Sequence, residues 1–161
     1  MKQTMLLQKM IEYFAGDAKR IQHFIKVHSF AKMIGQLEEI DETQQLILET
    51  AAIVHDIGIK NSEIKYKSSA GKYQEIEGPA PAKTLLLNLG YEDTVIERVC
   101  YLIAHHHTYG NIEGSDYQIL VEADFLVNLY EDGVSENAVQ TVKKNIFKTA
   151  SGIRLLTTMY A

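Results

Sequence analysis

Apolar residues recur at three- and four-residue steps along most of the chain, the spacing that lines one face of an α-helix. Met5 to Phe14 reads as a short first helix. Asp17 is placed to cap a longer one, carried by Ile21, Phe24, Ile25, Ala31 and Ile34. Asp41 with Gln44 three residues on has the form of a capping box, with Asp in place of Ser or Thr. Behind it, Leu46, Ile47, Ala51 and Val54 carry a stripe to His55. The pattern then stops. Residues 58–78 are polar and mixed, rich in Ser and Lys, and read as a long connection of the kind that is usually functional or mobile. A helix restarts at Pro79 to Pro81, where proline suits a first turn, and ends at Gly90. Another begins at Glu92 or Asp93 and runs through Val95, Val99, Leu102 and Ile103 to His105-His106-His107. Ser115 is placed to cap a helix reaching about Glu131, and Ser135 to cap a last long one with a break near Gly152.

These elements predict an all-α, compact helical bundle of about six to seven helices. Residues 1–161 form a single domain, with a core region at about 20–130 and a helical extension at about 135–160. The length and the 46% hydrophobic, 23% charged composition fit one soluble globular domain. A net charge of -5 argues against a broad nucleic-acid surface, which needs a basic stripe. It leaves room for an anionic small molecule, because a bound cation can reverse the field of a site. The single Cys100 excludes an intrachain disulfide. No secretory signal or membrane span is visible, so the expected location is cytoplasmic.

Four residues sit where apolar ones are expected. His55 and Asp56 end an apolar run, in AAIVHDIGIK. A carboxylate at the edge of a core is costly unless paired or metal-bound. Neighbours deep in a helix point about 100° apart, but at a helix end both can turn toward one ion. His28 has Phe24, Ile25 and Ala31 three or four residues away and is expected to face inward. It reads either as a satisfied core histidine or as a ligand. Asp124 lies among Leu120, Val121 and Val127, where a carboxylate needs a cation or strong donors. His and Asp are a natural ligand set for a divalent transition metal.

The order His28, then His55-Asp56, then Asp124 resembles the HD superfamily of metal-dependent phosphohydrolases, whose motif is one His, a His-Asp doublet and a distant Asp on helices. The local stretches VHSFAKMIG, VHDIGIK and ILVEADFLVN are similar to that family, as are EGPAPAKTLLLNLGY and VCYLIAHHH between them. The resemblance spans about residues 20–130 and implies that His28, His55, Asp56 and Asp124 ligate the metal. Lys60 follows the doublet much as in the family pattern HDIGK, offset by one residue, and reads as a phosphate contact or a solvated lysine. His106 and His107 align with the histidine pair of two-metal members, and His105 does not. Such members carry a further His ahead of the next helix. This chain has Gln74, Glu75, Ile76 and Glu77 there, so Glu75 or Glu77 is the candidate oxygen ligand of a second ion. Asn128, one turn after Asp124, reads as a contact for metal-bound water or substrate, or as an ordinary polar helix residue. Tyr66, Tyr73, Tyr109 and Tyr117 read as a stacking surface for a base or as common loop-edge residues.

The function implied is hydrolysis of a phosphate ester of a small molecule, nucleotides included, by a metal-activated water. Asp56, Lys60, His106 and His107 are the expected catalytic groups, with Lys60 and Asn128 on the substrate. The ligand set does not separate Mn, Fe, Co, Ni, Zn and Mg, and the sequence leaves open one ion or two. Two other readings stay open: a di-iron HD-type oxygenase, and a non-catalytic nucleotide-sensing module. The oligomeric state is not fixed, although Val139, Val142, Ile146 and Leu155 give the final helix an apolar face.

Overall fold

A computed structural model describes residues 1–160. Its described residues form ten helices and no strand: α1 (Lys2–Tyr13), α2 (Ala18–Leu37), α3 (Glu42–Val54), α4 (Ile59–Tyr66), α5 (Gly71–Glu77), α6 (Pro79–Asn88), α7 (Asp93–Ile103), α8 (Ser115–Glu131), α9 (Glu136–Asn145) and α10 (Ala150–Met159). The all-α expectation holds, and the count exceeds the expected six to seven. Helices α2, α3 and α8 pack on one another, and α7 lies against α3. Val27, Ala31, Leu48, Ala51, Val99, Leu120 and Val127 join in one core between them.

Local chemistry sets the helix ends. The Asp17 side chain accepts from Arg20 N–H, and Asp41 from Gln44 N–H at 2.9 Å, so both caps sit where the polar pattern put them. Residues 58–78 are the main departure. They fold into α4 and α5 instead of an extended loop. Both helices are short and bury few residues, so neither shows a long apolar stripe. Lys67, with φ of 54°, ends α4 in the left-handed region, and Ser62 Oγ donates to Ser68 O across the turn. Gly58 and Gly78 meet backbone to backbone. A Cβ on Gly58 would lie 2.6 Å from Gln74 O and 2.7 Å from Gly78 N. That close approach presses the turn after α3 against the end of α5.

The final segment is two helices, broken at Ile146–Thr149 and not at Gly152. Glu122 of α8, fully buried, makes this break. It accepts from the backbone N–H groups of Lys148 and Thr149, from Thr149 Oγ1 and from Gln118 Nε2. Val139 joins the core, with Val142, Ile146 and Leu155 packed against it, so the apolar face expected there is used within the chain. No described helix is long and apolar enough to cross a membrane.

Candidate metal centre

Two helix ends bring neighbouring residues to one point. Helix α3 stops at Val54, so His55 and Asp56 lie in the following turn and both reach inward. Helix α7 stops at Ile103, and His106 and His107 likewise lie beyond it. Asp124 comes from the middle of α8. The remaining member is His23 of α2.

His28 is therefore misplaced in the sequence reading. Five residues separate it from His23, which is roughly 140° around a helix. When His23 faces the centre, His28 faces α3, where its Nε2 lies 3.5 Å from Glu49 Oε2. Burial, outweighing the attraction of Glu49, lowers its pKa. The usable signal was the stripe His23, Val27, Ala31, Ile34, all buried and all at three- and four-residue steps.

Three imidazoles are held by the same device. His55 Nδ1 lies 2.7 Å from Ala52 O, His106 Nδ1 lies 2.7 Å from Ile103 O, and His23 Nδ1 lies 3.0 Å from Glu131 Oε2. Carbonyl and carboxylate oxygens only accept, so each Nδ1 carries the hydrogen and each neutral ring presents a bare Nε2. Those bare atoms converge. His23 Nε2 is 3.2 Å from His55 Nε2, 3.3 Å from Asp56 Oδ2 and 3.2 Å from Asp124 Oδ1. His55 Nε2 is 3.4 Å from Asp56 Oδ2 and 3.5 Å from Asp124 Oδ1. The other Asp56 oxygen, Oδ1, is 3.5 Å from His106 Nε2. Asp124 Oδ1 and His106 Nε2 are buried and lack a properly directed hydrogen bond.

Acceptors facing acceptors at this range repel unless a cation lies between them. Ligand atoms roughly 2.0–2.2 Å from one ion, at tetrahedral or cis-octahedral angles, stand roughly 2.8–3.6 Å apart. The spacings of His23 and His55 to each other, to Asp56 and to Asp124 fit that requirement; His23, His55 and Asp56 form one donor group, and Asp124 reaches both of its histidines. Without an ion, protons must fill the gap. Burial opposes charge on His55, but Asp56 and Asp124 outweigh it and lift its pKa to about 9. Burial works against the Asp56 carboxylate, yet His55 and His106 bring it down to about 2. Asp124 is held well below its usual range by His23 and His55 against the same burial.

Asp56 also joins a second donor set with His106 and His107. Neither expected glutamate is in it. Glu75 accepts from Thr108 Oγ1 at 3.0 Å, and Glu77 binds Lys65 Nζ at 2.8 Å and Tyr66 Oη at 3.1 Å. The α5 residue that faces the site is Gln74. Its Nε2 donates to Ser69 O, which turns Oε1 to His107 Nε2 at 3.0 Å. His107 thus carries its hydrogen on Nε2, and burial with the neighbouring His106 lowers its pKa to about 4. His105 faces out, stacked on Tyr101.

The centre floors a cleft of about 260 Å³ lined by Lys19, Arg20, Ser69, Gln74, His107 and Asn128, among others. Asn128 is on its wall. Lys60 is not, because it lies about 100° around α4 from the cleft residue Ile59. Its Nζ donates to Tyr13 O at 2.9 Å and sits over the Tyr13 ring. The basic groups at the mouth are Lys19 and Arg20, which the sequence reading missed. They precede His23 by four and three residues and so share its face. None of the four tyrosines lines the cleft. Tyr66 and Tyr73 stack on each other, and Tyr117 is buried and donates to His105 O.

An all-helical domain holding a His/Asp cluster that could bind a divalent metal defines the class of this protein. The family model for the HD domain matches residues 20–148, and the chain belongs to that family. A solved structure is similar in fold: a predicted HD superfamily hydrolase from an uncultured Thermotogales bacterium, at a TM-score of 0.71. It is 22% identical, over 98% of this chain and 84% of that one. No curated protein matches.

Proposed function

We propose that the chain is a metal-dependent phosphohydrolase acting on the phosphate ester of a small molecule, nucleotides included. The observation that carries this reading is the pair of imidazole Nε2 atoms of His23 and His55, 3.2 Å apart and each 3.2–3.5 Å from an oxygen of Asp56 and of Asp124, an arrangement that suits one divalent ion. These four residues would hold it. Such an ion, when bound, supplies positive charge to a phosphoryl oxygen and brings the pKa of water toward neutrality.

The remaining work falls to the chain. Asp56 spans the two donor sets, so its Oδ2 serves the ion while Oδ1 faces His106. His106, fixed by Ile103 O, aims a bare Nε2 at the reacting region and can take a proton from the attacking water. His107 is neutral near pH 7 and, with Nε2 committed to Gln74, offers Nδ1 as an acceptor. Asn128 presents an amide from the wall. Lys60, turned toward Tyr13, takes no part.

The second donor set of Asp56, His106 and His107 favours two ions and keeps an oxygen-activating di-iron centre as the competing reading. The test is a panel of nucleotides and phosphate esters with added manganese, cobalt, nickel or magnesium. Metal-dependent phosphate release that Asp56→Ala abolishes is the expected result. Two irons per chain with oxygen uptake and no phosphate release would replace hydrolysis by oxygenation. Binding without turnover across the panel would make the chain a sensor.

A further inference from the structure

The cleft is acidic apart from one edge. Asp56, Asp124, Glu131 and Asp132 line it, and its cations, Lys19 and Arg20, lie together in the first turn of α2. Arg20 is one helical turn from His23 on the same face, so its side chain overhangs the metal centre. Its guanidinium is engaged elsewhere. Nη1 donates to Asp17 Oδ2 at 3.1 Å and to Glu63 Oε2 at 3.1 Å, and Nη2 donates to Glu63 Oε1 at 2.5 Å. Its Nε has no partner among the described residues. Glu63 is a half-buried residue of α4, the helix that leads into the Ser69 and Gln74 wall of the same cleft. Two carboxylates therefore hold a fork of donors of the shape that recognises a phosphate, at the mouth of a site whose floor repels anions.

Resting on the phosphohydrolase reading, we infer that Arg20 is the anchor for the substrate's phosphate and that Glu63 competes with that phosphate for the guanidinium. The bidentate pair keeps the fork extended and aimed while the cleft is empty. A phosphate, with more charge and three oxygens, displaces Glu63 and leaves Asp17 to hold the arginine near the α2 cap. Lys19 adds a second, less directed charge. The price of this arrangement is affinity, since each binding event breaks the Arg20–Glu63 pair.

A structural ion pair and a competed anchor respond differently to mutation. Removing either partner of a structural pair loses the same interaction, so Arg20→Met and Glu63→Gln should act in one direction. For a competed anchor they act in opposite directions on phosphate affinity. The experiment is calorimetric titration of manganese-loaded protein with inorganic phosphate, with manganese affinity and the thermal midpoint recorded for every variant. Arg20→Met should weaken phosphate binding roughly 30-fold, the scale of charge-assisted hydrogen bonds. Glu63→Gln should tighten it about threefold, and that gain should vanish in the double variant, as coupling through Arg20 requires. Should Arg20→Met fail to fold, Arg20→Lys carries the test and should weaken binding about fivefold. Equal affinity in Arg20→Met and wild type overturns the anchor, as do shifts in the same direction or a Glu63→Gln gain that survives without Arg20. Wild type that holds manganese but neither binds phosphate nor hydrolyses any ester overturns the phosphohydrolase reading itself. An active wild type with an indifferent Arg20 overturns only the inference.

Discussion

Glu131→Gln isolates what orients the first ligand. Glu131 accepts from His23 Nδ1 at 3.0 Å and pairs with Lys26 Nζ at 2.8 Å through its other oxygen. Burial opposes its charge, and Lys26 and His23 restore it, holding its pKa below the usual range. The other two anchored imidazoles lean on carbonyls of their own turn, but His23 depends on this one side chain more than 100 residues away. A glutamine keeps an oxygen for Nδ1 but loses the charge that makes Nε2 a stronger donor to metal, and it loses Lys26. Groups behind a ligating histidine are worth 10–100-fold in metal affinity, or about 1.4–2.7 kcal/mol. The assay is competition for zinc or manganese against a chelator of known affinity, alongside urea unfolding of the metal-free protein. Weakened metal binding with an unfolding midpoint close to wild type is expected, because Glu131 is at the end of α8 and outside the core. Unchanged affinity in both Glu131→Gln and Glu131→Ala would refute the orienting role.

Three further outcomes follow from the geometry. His55 gains proton affinity on folding, from 6.5 to about 9. Its contribution to the stability of the metal-free protein is complete below about pH 6.5 and lost as pH rises through about 9. Metal must displace that proton, so apparent metal affinity should rise roughly tenfold per pH unit for each proton released between pH 6.5 and 8.5; a flat profile with no proton release contradicts this. Gly71→Ala would set a Cβ 2.7 Å from His107 Cγ, so the ring must leave Gln74 at a cost of about 1–3 kcal/mol; an unchanged urea midpoint counts against that packing. Glu122→Ala removes the fully buried carboxylate that accepts from Lys148, Thr149 and Gln118 and should cost about 3 kcal/mol, with metal affinity near wild type; loss of metal at unchanged stability would contradict the structural role.

The parts of the site legible in the sequence were those carried by breaks in pattern. His55-Asp56 closes an apolar stripe where a helix must end, and Asp124 interrupts one, so chemistry and position agreed. Helix α2 offered two histidines with apolar neighbours, and residue spacing alone ranked them poorly. Choosing His28 followed its local neighbours Phe24, Ile25 and Ala31, whereas the face toward α8 is set by the longer run through Val27 and Ile34. Gln74 was passed over for Glu75 and Glu77 because a carboxylate is the better ligand in isolation. Which residue of a seven-residue helix faces inward depends on Gly58 and Gly78 meeting, a contact between segments that no local pattern encodes. Lys60 was chosen as a cleft cation and Arg20 passed over for the same reason. Their charge was visible, but their direction is set by single contacts between helices, Lys60 with Tyr13 of α1 and Arg20 with Glu63 of α4.

The most direct measurement is metal content after gel filtration, by elemental analysis of wild type, His23→Ala and His28→Ala, each loaded with one divalent metal and checked for helix content. Metal retained by wild type and His28→Ala but lost from His23→Ala is the predicted result. Metal lost from His28→Ala and kept by His23→Ala, or absent from all three folded proteins, would contradict a centre built on His23, His55, Asp56 and Asp124.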